Sequence, residues 1–91
     1  MKSDVDKLLI KNPALTHSTD QKVVSHVQRE IDEWIMNTVM IENWQVPFKF
    51  KRKKRYKNLQ GARVNLTYYP QTELIGGLEF ETMKVVRIRI A

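Results

Sequence analysis

The sequence contains no cysteine and only three glycines and three prolines among its 91 residues. Without cysteine there is no disulfide, no thiolate nucleophile and no cysteine-based zinc site. So little glycine and proline, beside an apolar fraction of 42%, argues for a folded chain and against a disordered one. No run approaches the roughly 18 apolar residues of a membrane-spanning helix. The opening MKSDVDKLLIKN lacks the apolar core and small-residue cleavage site of a secretory leader, so a cytoplasmic protein without a membrane is expected. For the same reason the acceptor pattern Asn65-Leu66-Thr67 is set aside as a glycosylation site. The length fits one domain, 1–91, with 1–17 a loosely docked segment, and so thin a core makes dimerisation a live option.

What is abundant is positive charge, and it is unevenly placed. The net charge is +6, with 16 Lys and Arg against 10 Asp and Glu. Residues 1–45 hold five basic and seven acidic side chains, a balance of −2, whereas residues 46–91 hold eleven and three, a balance of +8. A bias confined to one half builds a one-sided field that steers an anionic partner.

The periodicity predicts an α+β fold. A short helix over 3–11 would end at Asn12-Pro13. A long amphipathic helix would start at the capping box Ser18-x-x-Gln21 and run to Asn43. Val24, Val27, Ile31, Trp34, Ile35, Thr38 and Ile41 recur along it at three- and four-residue steps. After Pro47 the period becomes two, which predicts a four-stranded antiparallel meander with the helix covering one face. Turns are expected at 58–61 and at Tyr69-Pro70-Gln71-Thr72, and Gly76-Gly77 reads as a bulge or bend within a strand over 73–81. Parity places the last hairpin at Thr82-Met83-Lys84, with Phe80 opposite Val86, Leu78 opposite Ile88 and Glu79 opposite Arg87.

The leading functional feature is KFKRKKRYK at 49–57, seven basic residues in nine. As a strand it would project Lys49, Lys51, Lys53, Arg55 and Lys57 from one side and Arg52 and Lys54 from the other. Two unpaired charges cannot enter a small core, so an overhanging basic hairpin arm is expected. Arg63, Arg87 and Arg89 would extend the positive surface over the open sheet face, with Tyr56 and Tyr69 as stacking platforms. The surface fits the phosphate backbone of DNA or RNA, and a non-catalytic nucleic-acid-binding module is the first expectation. A Lys-rich edge that only blocks aggregation is the plainer alternative, and an acidic protein partner is another.

A second functional class is a small oligomeric assembly or protein-interaction subunit, self-associating through the β-branched C-terminal strand VVRIRIA. A third is a small ribonuclease, with Glu79 and Glu81 beside Arg87 and Arg89. His26, Glu30 and Glu33 would share a helix face at metal-ligand spacing, although an ordinary solvated face produces the same pattern. No catalytic residue, metal or cofactor is assigned. Trp34 is expected in the core and Trp44 at the seal between helix and sheet.

Overall fold

The computed structural model describes residues 15–91. The short helix expected over 3–11 lies outside them. Where the long helix is expected, the chain forms two strands, β1 (Thr16–Ile31) and β2 (Trp34–Ile41). Three more follow: β3 (Phe48–Arg52), β4 (Arg63–Ile75) and β5 (Leu78–Ile90). No helix occurs among the described residues, so the α+β expectation is overturned in favour of an all-β fold.

The local chemistry favours strands once it is read for side-chain shape. Thr16, Thr19, Val23, Val24, Val27, Ile31, Ile35, Thr38, Val39 and Ile41 are all β-branched, stiff at χ1 and suited to a pleated surface. The residues at helical spacing do not share a face. Ile35 and Ile41 are buried, while Val24, Val27, Ile31 and Trp34 are exposed. In β2 the inward positions are Ile35, Asn37, Val39 and Ile41, an alternation disguised by the polar Asn37. In β1 a register shift between Val23 and Ser25 moves the inward set from one parity to the other. Asp32 takes a positive φ of 55° in the tight turn that sets Ile31 opposite Trp34.

The expected open meander is a closed barrel in the order β1-β2-β3-β5-β4. β1 pairs antiparallel with both β2 and β4, and β3 runs parallel to β5 through Phe48–Met83 and Lys49–Lys84. Closure gives the sheet an inside, packed by Val23, Val39, Phe48, Phe50 and Leu66, each at most 1% exposed. Burying a large apolar side chain this fully contributes about 1.5–3 kcal/mol. Trp44, expected between helix and sheet, packs edge-on against Phe48 and Tyr68 at centroid distances of 5.3 and 5.9 Å.

The final hairpin turns at Gly76-Gly77, not at Thr82-Met83-Lys84, which lies inside β5. Both glycines have positive φ, 59° and 82°, as a two-residue turn between right-twisted strands requires. Glu79 stands opposite Leu74, and Arg87 opposite Thr67, so the expected Glu79–Arg87 pairing is not formed. A bulge at Val86 brings Val85 and Ile88 inward. Pro70 sits within β4, where β1 has stopped pairing at Tyr68, so its missing N–H interrupts no ladder to that strand.

Candidate nucleic-acid interface

The basic run does not form a hairpin arm. β3 ends at Arg52, and residues 53–62 cross from β3 to β4 as a loop. Its backbone is held by the inner face of β1, antiparallel to it. Gln28 Nε2 donates to the Tyr56 carbonyl at 2.6 Å, and the Tyr56 N–H donates to Gln28 Oε1 at 2.8 Å. The Leu59 N–H donates to His26 Nδ1 at 2.9 Å. Gly61 N–H donates to the Val23 carbonyl at 2.8 Å, and Val23 N–H donates to that of Ala62 at 2.9 Å. Leu59 is 1% exposed and joins the core.

The pattern of donors fixes the His26 tautomer. Since Nδ1 accepts from Leu59, Nε2 carries the proton and donates to Asn37 Oδ1 at 2.8 Å. Asn37 Nδ2 in turn donates to the Ile35 carbonyl at 3.2 Å. His26 is buried in the barrel, whereas Glu30 near the end of β1 and Glu33 in the following turn are exposed, so the expected helix face bearing all three does not exist. No group of three or more metal-ligating side chains occurs among the described residues.

The loop presents its charges outward. Lys53, Lys54, Arg55 and Lys57 are exposed, while Tyr56 is half-buried against the core. Lys53 Nζ lies 4.4 Å from the Trp34 ring centroid and 3.7 Å from Glu33 Oε2. Trp34, expected in the core, is exposed beside the β1–β2 turn. Arg52 escapes burial by lying over aromatic rings, with its guanidinium 4.9 Å from the Phe50 centroid and 5.8 Å from that of Tyr56.

Four of the expected site residues meet in one open groove of about 530 Å³: Arg52, Tyr56, Arg87 and Arg89. β5 contributes the consecutive run Val86 to Ile90, which is how a strand lines a groove when it presents its edge and not a single face. The parallel pairing with β3 involves only Met83 and Lys84 of β5, and the two strands part beyond it.

Other expected contacts lie elsewhere. Lys49 is ion-paired to Glu73 at 3.0 Å, both partly buried, and Lys51 is exposed on β3. Arg63 pairs with Asp20 at 3.4 Å and donates to the Asp20 carbonyl at 3.2 Å. Tyr69 stands opposite Lys84 on β4. Glu79 and Glu81 face Leu74 and Thr72 on the distal hairpin, apart from the Thr67 and Asn65 positions that face Arg87 and Arg89. The constellation expected of a ribonuclease is thus dispersed.

Gln28 matters to the loop but escapes sequence inspection, and His26, noticed for metal-ligand spacing, instead anchors the loop; their partners lie 28 and 33 positions away. No local signal marks such a pair. No family model, curated protein or solved structure gives a match to this chain.

Proposed function

We propose that this protein is a non-catalytic binding module for the phosphate backbone of single-stranded DNA or RNA. The observation that carries this reading is the convergence of Arg52, Arg87 and Arg89 beside Tyr56, next to the outward lysines and arginine of a loop with an anchored backbone. Guanidinium groups bind phosphate through paired N–H donors, and an anchored loop loses little conformational entropy when a strand arrives. About four to six phosphate contacts would give strongly salt-dependent binding with little sequence preference. Tyr56 and the exposed Trp34 offer ring faces for unpaired bases, each worth roughly 1–3 kcal/mol. By analogy, five-stranded barrels are an architecture that hosts oligonucleotide and oligosaccharide binders.

Fluorescence anisotropy with labelled single strands and duplexes of mixed sequence tests the proposal. Affinity should fall steeply between about 50 and 200 mM salt. Arg87→Glu with Arg89→Glu should abolish binding while the circular dichroism spectrum of the barrel persists. Absence of binding to any of these probes at the low-salt end would refute it.

A further inference from the structure

The distal hairpin contrasts with the rest of the surface. Between Pro70 and Thr82 it carries three glutamates and no lysine or arginine, on a chain of net charge +6. It also exposes Leu74, Ile75, Leu78 and Phe80, at 73%, 54%, 65% and 45%. β1 pairs with β4 only as far as Tyr68, and β3 reaches β5 only at Met83 and Lys84, so neither strand of this arm has a further strand beside it among the described residues. A long, apolar, two-edged arm of this kind is a template for pairing.

We propose that the arm of one copy of this chain docks in the arginine groove of a second copy. This uses the groove of the preceding section but requires no nucleic acid to bind there. Charge selects the occupant. Leu74, Glu79 and Glu81 share one face of the arm, with Glu79 directly opposite Leu74. The groove matches an apolar residue flanked by carboxylates, because Val86 and Ile90 lie among Arg52, Arg87 and Arg89. Its wall is the β5 edge beyond Lys84, to which an arm strand can add as the next strand of the ladder. Alternate carboxylates along a strand also stand about 6.8 Å apart, two residues at the strand rise, so the arm competes with a polyanion for the same arginines. Arm and groove are different surfaces of one molecule, so the contact is heterologous and the assembly grows with concentration.

Sedimentation velocity across a dilution series at low salt tests this, using the full chain and two charge-reversed variants. The wild type should show a sedimentation coefficient rising with concentration. Glu79→Arg with Glu81→Arg should weaken association about tenfold or more, and so should Arg87→Glu with Arg89→Glu. Mixing the two variants should restore association, because each then offers a complementary arm and groove. An oligonucleotide that binds the groove should dissociate wild-type assemblies, and the arm variant should bind that oligonucleotide at least as tightly as the wild type. A wild type that is monomeric throughout, an arm variant that associates normally, or a mixture that stays dissociated would overturn the proposal. Restored association in the mixture, without oligonucleotide binding by any form, would uphold it while removing the nucleic-acid reading.

Discussion

Gln28 and Tyr56 are joined by two reciprocal hydrogen bonds, from the Gln28 amide to the Tyr56 carbonyl and from the Tyr56 N–H to the Gln28 amide oxygen. A glutamine side chain here does what a neighbouring strand's backbone would do, and it does so in the middle of the basic segment. Gln28→Ala should cost about 1–3 kcal/mol, since the Tyr56 backbone loses both partners. Hydrogen exchange at the Tyr56 amide should accelerate, while exchange at Val39 in the core of β2 stays slow apart from the global loss.

The His26–Asn37 pair is buried and connects the loop to β2. Asn37→Leu keeps the branched shape but removes the acceptor of the His26 Nε2 proton. Chemical denaturation should show a loss of about 1–3 kcal/mol, the penalty of an unsatisfied buried donor. Replacing His26 and Asn37 together with apolar residues should cost less than the sum of the single changes.

Leu59 anchors the loop by burial. Leu59→Ala should lower stability by about 2–5 kcal/mol through lost transfer energy and the cavity left behind. A urea titration reads this directly. The exposed Lys54→Ala, two residues before Tyr56, should change stability by no more than about 0.5 kcal/mol.

Gly77 has a φ of 82°, and a Cβ built there meets nothing within 4 Å. The cost of Gly77→Ala is therefore conformational and not steric, about 1–2 kcal/mol. It should fall on the hairpin tip, seen as faster amide exchange at Ile75 and Leu78. Gly76→Asn, which tolerates the left-handed region, should be nearly neutral.

How much of this was legible in the sequence differs between elements. The strand period after Pro47 is plain because Phe48 and Phe50 alternate with lysines, and both phenylalanines are buried as that pattern requires. The first two strands were hidden for physical reasons. Asn37 occupies an inward position, the bulge near Val24 shifts parity, and exposed Val27, Ile31 and Trp34 complete a false helical stripe. The density of β-branched residues was the usable warning. Parity also fails in the last hairpin, because Phe80 and Val86 belong to one strand, β5, and cannot stand opposite each other; the chain turns earlier, at Gly76-Gly77, and Gly-Gly is itself a hairpin signal. Within the candidate site, composition brought Arg52, Tyr56, Arg87 and Arg89 to notice, and barrel closure is what gathers them. Lys49, Lys53 and Arg63 proved to have acidic partners, Glu73, Glu33 and Asp20, none of which is near in sequence.

The 53–62 crossing is secured through its main chain and through Leu59, so the exposed side chains of Lys54, Arg55 and Lys57 are not what holds it in place. Shape and chemistry are therefore independently adjustable in this segment. Lys54, Arg55 and Lys57 can be recoded, even to acidic residues, and the same framework would then display the opposite polarity from an unchanged scaffold.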